Sequence, residues 1–272
     1  MKKININTRR SIVELYNNGN SIQKVSELLD IGIDSVKKYL KKADITIRSN
    51  VKYSINEQFF SDINNEFNAY WLGFVMADGY VAQIRKKKSY KNGTSLHSRM
   101  YVRLKEDDHL HLQKMVKDMN STHPVKFRKQ NRDGKVFQVC SVEIHNKQLV
   151  SDLIKLGCVQ GKSLILQYPN IPYDLERHFL RGYFDGDGTI FKRNGIVEAK
   201  FCSGSKSFIE SIKDVLTRNK IQTNKIGKGD GVWIMSIKKD NVQSFLNFLY
   251  PDASTYLDRK YKLASEAINA SC

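Results

Sequence analysis

The sequence predicts an α+β protein: a small all-α N-terminal domain followed by two pseudo-symmetric repeats, each running αββαββα. Three observations carry this. A nine-residue pattern occurs twice, as WLGFVMADG at 71–79 and as LRGYFDGDG at 180–188. The text after each copy alternates, in the same order, between period-two strand runs and helical runs. The first 48 residues, by contrast, carry helical spacing alone.

Taking the elements in order, apolar positions at 8–40 fall in three short helical runs, broken at Asn17-Asn18-Gly19-Asn20 and around Gly32. Ser21 is the expected N-cap of the second helix, with Lys24 where a capping-box Glu would stand, and Asp34 or Ser35 the expected cap of the third. The third helix turns Val36, Tyr39 and Leu40 inward and Lys37, Lys38, Lys41 and Lys42 outward. A domain at 1–48 is therefore followed by a polar linker at 49–65, with one short helical turn at 56–63. The first repeat spans 66–168 and the second 169–272. In the first, YVRL at Tyr101 precedes the helix DDHLHLQKMVKDM, then VKFRKQ and KVFQVCSVEI flank a turn at Arg132-Asp133-Gly134, and KQLVSDLIKLG follows. In the second, VEAKFCSG precedes SKSFIESIKDVLTRN, then NKIGKGDGVWIMSIKK holds the hairpin and NVQSFLNFLYP follows.

Charge narrows the partner. The net charge of +17, from 45 Lys and Arg against 28 Asp and Glu, favours a polyanion over a small neutral substrate. No apolar run is long enough to span a bilayer and no signal core follows MKKININTRR, so nucleic acid is expected rather than a membrane, in a cytoplasmic protein of bacterial or phage context. Cys140, Cys158, Cys202 and Cys272 form no Cys-x-x-Cys pair, which argues against a zinc knuckle or a disulfide framework. The six histidines have no ligand spacing and read as surface or satisfied residues.

The repeated motif points to the chemistry. Gly73 and Ala77 are four apart, as are Gly182 and Gly186, so each motif helix carries small residues on one face and two such helices can pack backbone to backbone. That packing would place Asp78 and Asp187 together at two helix C-termini, where the macrodipole disfavours negative charge. A cation should lie between them, and Mg2+, which prefers carboxylate oxygens and keeps positions for phosphate and water, suits the site, as would Mn2+. The acids lie 109 residues apart (187 − 78), so a pseudo-twofold axis should pass between the helices of a monomer.

These residues resemble the LAGLIDADG homing endonucleases in their single-chain, two-motif form. The likeness covers residues 66–262 and rests on AYWLGFVMADGYV at Ala69, LGCVQGKSLILQYPNIP at Leu156, RHFLRGYFDGDGTIF at Arg177 and YLDRKYKLASE at Tyr256. Residues 8–48 resemble a resolvase-like helix-turn-helix, with the lysine-rich third helix as recognition helix. The resemblance implies a site-specific double-strand DNA endonuclease that hydrolyses phosphodiesters with divalent metal ions, leaving short 3′ extensions and 5′ phosphates. It implies Asp78 and Asp187 as metal ligands, with Gly79 and Gly188 completing the metal site, and Lys162 and Lys260 as the basic catalytic residues, Arg259 being an alternative to Lys260. Met76 stands where the second motif has Asp185, and since that position varies in the family, Asp185 reads as structural. Gln83 or Ser203 would position water. Strand alternation offers Arg85 with Lys87, Arg99 with Tyr101, Arg103 and Lys105, and Lys126 with Arg128 and Gln130 as DNA contacts; Lys192, Lys200, Lys225, Lys228 and Trp233 are weaker candidates. A non-catalytic DNA-binding regulator on the same scaffold and an intron RNA maturase are the rival readings. Intact acids oppose the first, and a helix-turn-helix favours duplex DNA over deep, narrow A-form grooves.

Overall fold

The computed structural model describes residues 4–47, 53–87, 94–132 and 134–269. They form two compact units, Met1–Lys52 and Tyr53–Cys272.

The first unit holds helices α1 (Ile6–Asn17), α2 (Ile22–Leu28) and α3 (Ile33–Lys42) around Ile12, Tyr16, Val25, Val36 and Leu40. Asn5 and Ser21 cap the first two, each side chain accepting a backbone N–H of the first turn. The third begins earlier than expected: Gly32 is its cap and Asp34 lies in its first turn, where its charge favours the helix dipole. Lys37, Lys38, Lys41 and Lys42 are all exposed, and Arg9 stacks 5.0 Å from the Tyr39 ring centre.

The second unit repeats one plan twice. Helix α4 (Glu66–Asp78) leads into strands β1 (Gly79–Lys87) and β2 (Thr94–Lys105), helix α5 (His109–Asp118), strands β3 (Lys126–Arg132) and β4 (Lys135–Ile144), and helix α6 (Lys147–Lys155). Helix α7 (Glu176–Asp187) leads likewise into β5 (Thr189–Arg193), β6 (Ile196–Ser203), α8 (Lys206–Arg218), β7 (Gly227–Gly229), β8 (Val232–Ser236), α9 (Val242–Leu249) and α10 (Asp258–Asn269). Both sheets are antiparallel and share one strand order, β1-β2-β4-β3 and β5-β6-β8-β7. No described helix is long and apolar enough to cross a membrane.

Helices α4 and α7 form the centre. Asn65 starts α4 through a reciprocal capping box with Asn68, and the helix is apolar on nearly all sides because it is buried on nearly all sides. The expected backbone-to-backbone packing is present. A Cβ on Gly73 would overlap the Phe179 carbonyl and lie 2.8 Å from Tyr183 N, while one on Gly182 would overlap the Tyr70 carbonyl and lie 3.0 Å from Phe74 N. Shifting Phe179 and Tyr183 back by the repeat length gives Tyr70 and Phe74, so the contact is reciprocal, as a pseudo-twofold requires.

The linker expectation fails beyond its first residues. Phe59, Phe60 and Ile63 are buried in the core of the second unit, Ser54 N donates to Thr122 Oγ1 at 2.8 Å, and Ser61 Oγ donates to Asp152 at 2.6 Å. Residues 53–65 are a strap on that unit, made of turns; residues 48–52 lie outside the described residues.

Candidate metal and DNA site at the paired helix ends

Each motif helix passes into its first strand without a loop. Gly79 N donates to the Val75 carbonyl and Gly188 N to the Phe184 carbonyl, and a Cβ on either glycine would collide with the turn it closes. Asp78 and Asp187 are thus delivered side by side at the two C-termini, and a Cβ on Gly186 would come within 3.5 Å of Asp78 Oδ2. Partial burial and the Asp187 charge push the Asp78 carboxyl up to about 6, against the pull of Lys260 and Lys162. Burial raises Asp187 as well, opposed by the neighbouring Tyr183 hydroxyl and by the same lysines.

Lys162 and Lys260 are buried beside these acids in matching places. Lys162, on a 3-10 turn (Lys162–Leu164), donates from Nζ to the Gly79 carbonyl at 2.5 Å. Lys260, in the first turn of α10, donates to the Gly188 carbonyl at 2.5 Å and to the Phe184 carbonyl at 2.6 Å. Burial lowers both ammonium groups, Lys260 to about 8, and the paired acids partly restore them. These bonds correct two expectations. The Gly79 and Gly188 carbonyls face ammonium groups, so the same oxygens are poorly placed to hold a metal cation. Arg259 is exposed and ion-paired with Asp108 at 3.2 Å, whereas Lys260 is buried beside the acids. Ser203 is buried and accepts from Ser205 N at 3.2 Å, and Gln83, exposed on β1, donates to Ser98 at 3.2 Å.

Asp185, the counterpart of Met76 in the repeat, faces the core. It is fully buried and accepts from Tyr70 Oη (2.7 Å), Tyr250 Oη (2.7 Å) and Leu257 N (2.8 Å). Since Tyr70 gives its proton to Asp185, the His111 Nε2 at 3.2 Å from that hydroxyl must be the donor, and burial holds His111 neutral by pushing its pKa down to about 3. Sequence reasoning missed a second buried polar group. Arg181 has no exposed surface and donates to the Thr255 and Leu249 carbonyls and, at 2.6 Å, to Glu66. Its counterpart in the first motif is Leu72, and that departure from the repeat was the available signal.

The sheets are unequal. Register puts Arg99, Tyr101, Arg103 and Lys105 on the face of the first sheet turned away from its buried residues, level with Glu143, Ser141 and Val139 of β4, and beyond these with Lys126, Arg128 and Gln130 of β3. Arg99 lies over Tyr80 and Tyr101, and Arg103 over Tyr101 at 5.3 Å and beside Gln130 at 3.3 Å, giving an interleaved cationic and aromatic row. Arg85 shares the alternation of buried Val81, not of this row, and Lys87 ends β1 opposite Thr94. In the second sheet only Lys200 of the candidates faces outward. Lys192 alternates with buried Ile190, and Trp233 lies opposite buried Ser203, packed on the core with Lys206 and Lys228 against its ring. Lys225 is exposed but precedes β7.

Residues 174–249 match the family model described as a LAGLIDADG-like domain. That stretch lies within the second repeat, from just before α7 to the end of α9. No curated protein matches the sequence significantly. Among solved structures, the homing endonuclease I-WcaI bound to its DNA recognition sequence is similar with a TM-score of 0.55 and 15% identity, over 82% of this chain and 97% of that one. A structure from a study of mesophilic variants of the homing endonuclease I-DmoI is similar with a TM-score of 0.51 and 14% identity, over 78% of this chain and 99% of that one. The chain therefore has the fold of single-chain LAGLIDADG homing endonucleases, with both motif positions filled.

Proposed function

We propose that this protein is a site-specific double-strand DNA endonuclease that works as a monomer and uses a divalent cation, Mg2+ or Mn2+. The observation that carries the reading is the doubled constellation: one acid and one buried lysine from each repeat, meeting at the C-termini of two helices packed glycine to backbone. The donor set fits a hard cation that keeps part of its shell for phosphate and water. Among the described residues no group of three or more His, Cys, Asp or Glu could cage a metal alone, whereas two carboxylates suit magnesium. Bound there, such an ion would lower the pKa of water and neutralise charge on phosphate oxygens.

The residues of the chain account for the rest. Asp78 and Asp187 would hold the cation as ligands and do not act as nucleophiles. Lys162 and Lys260 keep positive charge beside each scissile phosphate as negative charge grows on its oxygens. In each strand water oxygen bonds to phosphorus, the P–O3′ bond breaks, and the 3′ oxygen leaves with a proton, giving a 5′ phosphate. The first sheet's cationic row grips backbone phosphates over one half-site, and its Arg and Gln side chains reach base edges. The N-terminal three-helix unit acts as a helix-turn-helix that lengthens the footprint, presenting Lys37, Lys38, Lys41 and Lys42 to DNA.

The test is incubation with a pool of supercoiled plasmids carrying randomised duplex inserts, with and without magnesium, beside Asp187→Asn. Linearised members sharing one sequence, absent without metal and absent with the variant, support the reading. Selective binding of one sequence without cutting, equal in both proteins, replaces it with a non-catalytic DNA-binding role.

A further inference from the structure

We infer that Asp185 is a positioning residue for Lys260, and that it makes the two halves of the catalytic site unequal; this rests on the nuclease reading above. The contacts form a closed circuit on one helix. Asp185 of α7 accepts from Leu257 N at 2.8 Å. The Leu257 carbonyl in turn accepts Lys260 N and Tyr261 N, both at 3.0 Å, and so sets the first turn of α10. Lys260 then reaches back from that turn to the Phe184 and Gly188 carbonyls on either side of Asp185. The peptide that starts α10 is thus held by the residue next to one of the carbonyls that receives the Lys260 ammonium.

The anchor is itself fixed. Asp185 Oδ1 and Oδ2 also receive the Tyr250 and Tyr70 hydroxyls, so every hydrogen bond of this buried carboxylate comes from a group that cannot leave without unpacking the core. Among the described residues the other half has no carboxylate in this place. Met76 occupies the corresponding position, and its Cε lies 3.8 Å from where a Gly157 Cβ would be, while the segment before Lys162 is held by local backbone bonds, Cys158 N to the Leu153 carbonyl at 2.8 Å and Lys162 N to the Val159 carbonyl at 3.2 Å. Lys162 sits on a 3-10 turn rather than in an α-helix. One lysine's segment is therefore anchored by a buried side-chain carboxylate, and the other's by local backbone hydrogen bonds and an apolar side chain. Because each lysine serves one scissile phosphate, loss of the anchor should slow one strand.

The experiment uses the full-length protein and a duplex recovered from the randomised pool, with a different fluorophore on each strand. Asp185→Asn keeps the shape but turns one oxygen into a donor facing donors; Tyr250→Phe removes one supporting hydroxyl and guards against misfolding of the first variant. The expected result is nicked duplex: one strand's single-turnover rate falls by on the order of 10–100-fold while the other changes less than about twofold, with a smaller split for Tyr250→Phe. Amide exchange at 257–261 should accelerate in both variants, with 159–164 unchanged. Equal slowing of both strands, or no change in either strand, overturns the inference while leaving the nuclease reading intact. A wild-type protein that cuts no member of the pool overturns the nuclease reading instead.

Discussion

Replacing Gly182 by Ala tests the central contact directly. The new Cβ would overlap the Tyr70 carbonyl oxygen, lie 2.8 Å from its carbon and 3.0 Å from Phe74 N, all backbone atoms of the facing helix. No rotamer change relieves such a clash, so α4 and α7 must separate by about 1 Å or more to reach ordinary contact. Overpacking of this kind costs about 1–3 kcal/mol and here falls at the upper end, offset by about 1 kcal/mol because Ala is the better helix former. The net loss of about 2 kcal/mol lowers the melting temperature by about 4–8 °C for a domain of this size. Separation also moves Asp78 from Asp187, so cleavage should fall by about 100-fold while DNA binding by the sheets persists. Calorimetry and a magnesium-dependent cleavage assay measure both. Gly227→Ala is the control, because a Cβ there meets nothing within 4 Å. A Gly182→Ala protein as stable and active as that control would refute the account of this interface.

Further outcomes follow from the same geometry. With Asp78 at about 6 and Lys260 at about 8, magnesium affinity should rise about tenfold per pH unit until Asp78 is ionised, and cleavage should fall once Lys260 loses its proton; a rate profile without limbs near these values would remove both assignments. Glu66→Ala leaves buried Arg181 without its carboxylate and should cost about 3 kcal/mol in urea unfolding, with the m-value unchanged. Arg103→Ala and Arg128→Ala should each reduce the salt slope of DNA affinity by about 1, whereas Lys228→Ala, beside Trp233 on the core side, should leave it unaltered.

How far the sequence could be read depended on whether the physics was local. The two motifs, the order of elements and the meeting of Asp78 with Asp187 were legible because glycine spacing and apolar periodicity are properties of a single helix. Lys162 and Lys260 came from the family resemblance, not from the repeat, since they lie 84 and 73 residues beyond their acids (162 − 78 and 260 − 187). The faces of the second sheet were not legible: β7 is three residues long and two of them are glycine, so alternation had almost nothing to act on. The strap at 53–65 looked like a linker because turns have no period, and Phe59 and Phe60 are buried by chain distant in sequence. Arg181 escaped notice for the same reason, since the carbonyls and the carboxylate that it pairs with lie 68 to 115 residues away.

The reciprocal seating of Gly73 and Gly182 has a consequence for assembly. One surface is used twice, as when two identical subunits pair about a twofold axis, but here both copies belong to one polypeptide. Fusion makes the encounter independent of protein concentration and frees the halves to differ. They have differed at Leu72 against Arg181 and at Met76 against Asp185. A second half paired with its own copy would bury Arg181 without Glu66 and Asp185 without Tyr70, both of which come from the first half. Divergence has thus made the second half dependent on its unlike sister, so that a second half expressed alone would pair better with the first half than with a copy of itself.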